Sequence, residues 1–277
     1  MIAIALALCA SLAWGFADFG AGVSARRLPA FVVTAGMQIA GLAVAAIVLA
    51  VLQEPAPRAG EVGWAIFAGL AGVLGLSSFY RALAVGTMGI VGPISSLSAL
   101  VPLTYGLARG ERPSALHLSG VALAVVGGIG ASLEPVPDSA RRRIGTGVGL
   151  ALLAALGFGG SLVGLSNAAP GGIGWAIFLM RATAVPVLLV LALSLSPRRP
   201  GRRLLPLLVA VGIFDTGANL LFSAATTRGL LSVVSVLASL YPIVIVVLAR
   251  VFLHERVAPP QLAGVAVALA GVALISA

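Results

Sequence analysis

The sequence predicts an all-α polytopic membrane protein, with ten transmembrane helices arranged as two inverted five-helix repeats. Three observations carry that expectation. Hydrophobic residues make up 60% of the 277-residue chain and charged residues 9%, where a soluble domain carries about 25% charged residues. Apolar stretches of the length a bilayer demands, roughly 20 residues, fill nearly all of it, and mean hydropathy is +1.14. The stretches also fall into two sets of five with a shared motif order. An odd number of spans per repeat turns the second copy upside down, a recurring design for alternating access.

The expected spans are residues 2–23, 29–52, 62–84, 87–108 and 115–133, then 146–166, 173–195, 204–226, 229–252 and 259–276. Span one lacks a basic leader and runs straight into Arg26 and Arg27, which reads as a retained span and not a cleaved signal. Spans two and three flank the polar connection Gln53–Glu61. Spans four and nine each contain a proline, Pro102 and Pro242, which frees a carbonyl and permits a kink or hinge. Span five repeats Gly120, Ala124 and Gly128, and span ten carries Gly264, Ala268 and Gly271. Such small faces let backbones approach closely, here between the two spans or with a second subunit in a homodimer. The linker Pro135–Gly145 divides the chain into halves 1–134 and 145–277.

The repeat is clearest at the ends of the halves. Pro102, the Arg109-Gly110-Glu111-Arg112-Pro113 element and Gly120 are matched by Pro242, His254-Glu255-Arg256 and Gly264, with Glu-to-Gly steps of nine residues in both. The Pro-to-Glu step is nine in one and thirteen in the other, a difference of about one helical turn. Glu111 and Glu255 are expected to cap or orient the helix that follows each.

All 17 basic residues are arginine. Connections after spans one, five, seven and nine hold eleven (Arg26, Arg27, Arg141, Arg142, Arg143, Arg198, Arg199, Arg202, Arg203, Arg250 and Arg256). Those after spans two, four, six and eight hold four (Arg58, Arg109, Arg112 and Arg228). The positive-inside rule puts the richer set in the cytoplasm and both termini outside. The net charge of +9 thus belongs to loops, and no basic face with interleaved aromatics points to nucleic acid. One cysteine, Cys9, and two histidines, His117 and His254, give no disulfide, metal cluster or nucleophile–base pair. No cofactor and no enzymatic activity are expected.

An ionised side chain at mid-bilayer costs about 2.5–3.5 kcal/mol on insertion scales, so each is a functional candidate. Arg181 and Asp215 fall mid-span in neighbouring spans seven and eight, and a cross-helix pair is one reading of them; binding a substrate carboxylate is another for Arg181. Asp18 and Arg81 lie nearer one membrane face, and Arg81 has the reach to snorkel. Asp215, Asn219, Phe222 and Thr226 share one face of span eight, with Asn219 placed to orient the carboxylate. Ser95 and Ser98 in span four, with Ser232, Ser235 and Ser239 in span nine, form hydroxyl stripes that suit either substrate or helix packing. Trp14 stands one turn from Asp18. A carboxylate facing a dehydrated cavity can take up and release a proton during a cycle.

These residues resemble the drug/metabolite transporter superfamily, and within it the ten-helix EamA-like type, across the whole chain. The resemblance rests on Trp14-Gly15, the Gly110-Glu111-Arg112-Pro113-Ser114 element with Gly120, and the copy Pro242, His254-Glu255-Arg256, Gly264. It implies transport of amino acids, other metabolites, drugs or nucleotide sugars by ion coupling or exchange. It also implies cytoplasmic termini for many members, opposite to the arginine count. The small four-helix relatives carry a proton-coupling Glu in the first helix; Trp14 stands at that depth here, with Asp18 a turn beyond. The expectation is a secondary active exporter of small polar or amphipathic metabolites in a bacterial plasma membrane, with a proton as coupling ion. Trp14, Asp18, Arg181, Asp215, Asn219, Phe222, Ser95, Ser98, Ser235 and Ser239 would line its substrate cavity. A passive facilitator or exchanger, and a lipid-flipping or structural protein, are the rival readings.

Overall fold

Hydrocarbon offers backbone N–H and C=O groups no partner, so each segment must bond within itself. The chain meets that condition with helices. The computed structural model describes residues 1–85, 91, 94–95, 97–132, 144–195, 201–254 and 258–276. Its helices are α1 (Ile2–Ala25), α2 (Ala30–Leu52), α3 (Ala59–Val85), α4 (Leu100–Ala108), α5 (Ala115–Ser132), α6 (Ile144–Ala168), α7 (Ile173–Leu195), α8 (Leu205–Thr226), α9 (Leu231–Ala238), α10 (Tyr241–Phe252) and α11 (Pro259–Ser276). Among the described residues seven stretches are long and apolar enough to cross a membrane, α9 and α10 together making one of them. The expected fourth, fifth and tenth spans are shorter apolar helices over Leu97–Ala108, Ala115–Gly130 and Pro259–Ile275. The start of span four, most of the linker, Arg141–Arg143, Arg198, Arg199, Glu255 and Arg256 lie outside the described residues.

Both span prolines stand in the first turn of a helical segment, where the missing N–H is no loss. A 3-10 turn at Leu97–Ala99 precedes α4 and Pro102. Span nine breaks at Ser239–Leu240, and Pro242 opens α10. The expected interior kink is thus a break between two pieces in span nine.

The packing maps onto itself when the halves are exchanged. α3 lies along α6, and α1 along α8; α2 meets α8, and α3 meets α7; α2 pairs with α7, α4 with α9, and α5 with α11. The α5–α11 seam is closed by small residues: a Cβ on Gly120 would stand 2.8 Å from the Gly271 carbonyl oxygen, and one on Gly127 would collide with Ala268. Gly127 takes the place expected of Gly128, which faces Leu240. This small face is therefore occupied within the chain, the first of the two readings given for it.

Strict alternation of spans puts the starts of α1, α3, α5, α7 and α9 on one membrane face, here the amino-terminal face, and the ends of α1, α3, α5, α7 and α10 on the arginine-rich face. Two connections on the amino-terminal face join the halves. Glu54, just past α2, accepts the N–H groups of Ile173 at 3.0 Å, Gly174 at 2.8 Å and Trp175 at 3.3 Å, and the Trp175 indole donates to the Glu54 carbonyl at 3.2 Å. Glu111, past α4, accepts from Leu231 at 2.7 Å and Ser232 at 2.9 Å. The first turn of a helix has N–H groups with no partner inside it, and α7 and α9 take their partners from the other half. Glu111 thus caps α9, correcting the expectation that it caps the helix that follows it. Gly110, at φ +90, ends α4 in a conformation only glycine adopts freely, and the Glu111 N–H returns to the Gly106 carbonyl at 3.0 Å.

Candidate functional site

The intramembrane charges gather where α2, α7 and α8 meet. The Arg181 guanidinium donates to Asp215 Oδ2 at 2.6 Å and, through its other terminal nitrogen, to the Gln38 side-chain carbonyl. Arg181 is 2% exposed and Asp215 13%. Thr34, Gln38 and Gly41 occupy one face of α2 at steps of four and three, and this face looks onto the pair. A Cβ at Gly41 would stand 2.5 Å from Thr216 Oγ1, so a side chain there would collide with that hydroxyl, while Arg181 Nε at 3.4 Å stays at ordinary contact distance. Arg181 Nε and Thr216 Oγ1 are buried with no hydrogen-bond partner. Each is a polar group whose desolvation nothing on the chain offsets.

Asn219 does not orient the carboxylate as expected. Its amide donates to the backbone carbonyl of Asp215 at 2.6 Å, back-bonding within its own helix. Phe222 is fully buried and meets Trp14 ring to ring at 5.8 Å. The stripe on α8 therefore runs from the ion pair into the core, and Thr226 closes it by donating to the Ser223 carbonyl at 2.9 Å.

Asp18 stands apart from these groups. It is exposed, as are Gly22 and Ala25 further along the same side of α1. The lipid-facing residues of α1, Leu12 and Phe16, project from the opposite side, about 200° round the helix from Asp18. Asp18 therefore faces the bundle interior through an opening toward the arginine-rich face, and a Cβ at Gly22 would meet nothing within 4 Å. Among the described residues the Asp18 carboxylate makes no hydrogen bond or ion pair. It lies within electrostatic range of Asp215 and of the phenols of Tyr80 and Tyr241. The Tyr80 and Thr34 hydroxyls are 3.1 Å apart, tying α3 to α2 beside this vestibule. Arg81 is exposed, in keeping with snorkelling.

The serine stripes lie where α4 and α9 cross. Ser95, Ser98 and Ser235 are buried. Ser235 donates to the Ser232 carbonyl at 3.4 Å and Ser239 to the Val236 carbonyl at 2.8 Å. Sequence reasoning singled out neither Gly41, Thr216 nor Tyr241. The Gln38 and Gly41 spacing on α2 is the signal that points to two of the contacts around Arg181.

Three comparisons bear on this arrangement. The model of the EamA-like transporter family matches residues 1–133 and again residues 145–277. No curated protein matches. A solved structure titled only as the crystal structure of a protein is similar in fold, with a TM-score of 0.79 at 21% identity, covering 99% of this chain and 97% of that one.

Proposed function

The chain belongs to the EamA-like transporter family of the drug/metabolite superfamily, and from that premise we propose that it is a secondary active exporter of small polar or amphipathic metabolites such as amino acids. It works by alternating access between residues 1–134 and 145–277, in a bacterial plasma membrane, with a proton as the coupling ion. Asp18 carries the reading. A carboxylate inside the bundle whose oxygens no side chain of the described residues occupies is open to a ligand, and either a substrate ammonium group or a proton can occupy them. The two compete for the same oxygens, so a proton that arrives displaces an amine that leaves. Competition at one carboxylate is a sufficient device for exchange.

Arg181 plays a supporting part in this scheme. Asp215 and Gln38 already hold its terminal nitrogens, so a substrate carboxylate reaches it only by displacing one of them. Trp14, a turn from Asp18 and backed by Phe222, offers a surface for the substrate's apolar part. The bonds of Ser235 and Ser239 to their own helix favour packing over substrate contact for the serine stripes.

A thermal-shift screen of the purified protein against amino acids, amines and drugs tests this, since a ligand of the folded state raises the melting temperature with its concentration. Stabilisation by amino acids or amines in the wild type, absent from Asp18→Asn, is the expected result. A hit that survives Asp18→Asn overturns the role of Asp18, and hits confined to lipids overturn the substrate class.

A further inference from the structure

The caps supplied by Glu54 and Glu111 lie at the amino-terminal end of the molecule. At that end buried side chains of α1, α2, α3, α6, α7, α8 and α9 join in one continuous cluster, from Ala3 and Ala7 through Leu165 and Ile177 to Phe222 and Val234. At the other end lies the vestibule of Asp18, Gly22 and Ala25. The helices that receive the caps have none of their own. Gly172, before α7, has no side chain, and Leu230, before α9, makes no side-chain cap bond. All five N–H donors belong to the second half, and both accepting carboxylates to the first.

Glycines clear the space each carboxylate needs. A Cβ at Gly172 would stand 2.6 Å from Glu54 Oε2 and one at Gly174 2.9 Å, while one at Gly106 would stand 2.8 Å from the Glu111 side-chain carboxyl carbon. The bonds lie at the membrane surface and not in its core. Water can replace a carboxylate there when it leaves, so each cap is strong enough to favour one state and weak enough to break in a cycle.

We propose that Glu54 and Glu111 are gate residues, and that the carrier opens to its amino-terminal face only when both carboxylates leave the N-termini of α7 and α9. The inference rests on the alternating-access reading at one point, the vestibule being open in the resting state. Glu→Gln keeps the size and one acceptor of the side chain and removes its charge. Removing one carboxylate shifts the balance toward the form open at the amino-terminal face by about fivefold, the size of a charge interaction at a helix terminus. Two independent caps multiply to roughly twentyfold.

The test follows water access with a charged thiol reagent on single-cysteine variants in the Cys9→Ala background. Ser223→Cys reports the amino-terminal core, where Ser223 is fully buried one turn from the end of α8. Ala151→Cys reports a buried cluster nearer the arginine-rich face, and Gly22→Cys reports the vestibule. With Glu54→Gln and Glu111→Gln together, Ser223→Cys is expected to react about twentyfold faster while Ala151→Cys stays protected. An unchanged rate at Ser223→Cys overturns the proposal. A rise at both buried positions overturns it too, because it signals general loosening and not a gate. If the double variant does not fold, Glu111→Gln alone carries the same test at about fivefold. Failure of Gly22→Cys to react in the carrier with both carboxylates intact removes the vestibule, and with it the reading on which the gate depends.

Discussion

Among the described residues, buried side chains at the amino-terminal end join in one cluster that runs through most of the helices, while those toward the arginine-rich end fall into separate groups. Leu28, Val32, Val33 and Leu208 form one such group, and Ala17, Met37 and Val211 another, both among α1, α2 and α8. Val73, Ala184 and Leu188 join α3 to α7, and Ala82, Val91 and Ala151 join α3 to α6. The helices are the same at both ends and so is their apolar character. What differs is whether side chains close the space between the group containing α1, α2 and α8 and the group containing α3, α6 and α7. Among the described residues, a bundle with two-fold related packing thus has buried side chains that are continuous at one end and divided at the other.

The largest effect expected at the junction of these two regions comes from the ion pair. Arg181→Ala leaves Asp215 buried without its partner and destabilises the protein by about 3–5 kcal/mol, whereas Arg181→Met with Asp215→Leu recovers most of the loss. Unfolding of the purified protein in detergent checks both; a single variant as stable as the wild type would mean the pair does not hold α7 to α8.

The two ends can be compared directly by matched truncations. Leu165 is 1% exposed in the continuous core and Leu208 2% exposed in a small group. Leu→Ala costs about 2–5 kcal/mol depending on how well the site collapses. Leu165→Ala is expected toward the upper end and Leu208→Ala at least about 1 kcal/mol below it. Equal losses would break the comparison, since both ends would then be equally rigid.

A smaller effect is expected at the caps. Glu111→Gln lowers stability by about 1 kcal/mol and speeds amide exchange at Leu231 and Ser232, the residues whose N–H groups it accepts. Slow exchange there in the variant would show that another group caps α9. The smallest belongs to Asp18→Asn, within about 0.5 kcal/mol of wild type, because the carboxylate has no partner to lose. That variant is expected to lose stabilisation by amines all the same, and a large loss of stability would place Asp18 in a structural network.

Much of this architecture is legible in the sequence, for a physical reason. A charge inside an apolar run is too costly to be accidental, so Asp18, Arg181 and Asp215 announce themselves, and small-residue faces at steps of four mark the α5–α11 seam. The partners are less visible. Asn219 lies one turn from Asp215, but its amide reaches the backbone carbonyl of residue 215 first, and sequence spacing does not separate those two acceptors. Glu111 is recognisable as a capping residue, yet the N-terminus it caps is 120 positions away. Glu54 has the same concealed role. Gly41 matters only because Thr216 and Arg181 converge on it, a fact of packing between three helices.

A core that is continuous at one end has a kinetic meaning. On the proposed function, Asp18 is presented to one compartment in the resting carrier, so substrate arriving from that side finds a binding-competent form at once, while substrate from the other must await a rare rearrangement. The apparent KM measured from the two sides should differ by the ratio of those two populations. Detailed balance forbids that difference from producing net flow: for an uncoupled substrate kcat/KM must be equal in both directions. The sidedness of the fold therefore sets how the carrier responds to each compartment, and the gradient alone sets which way material moves.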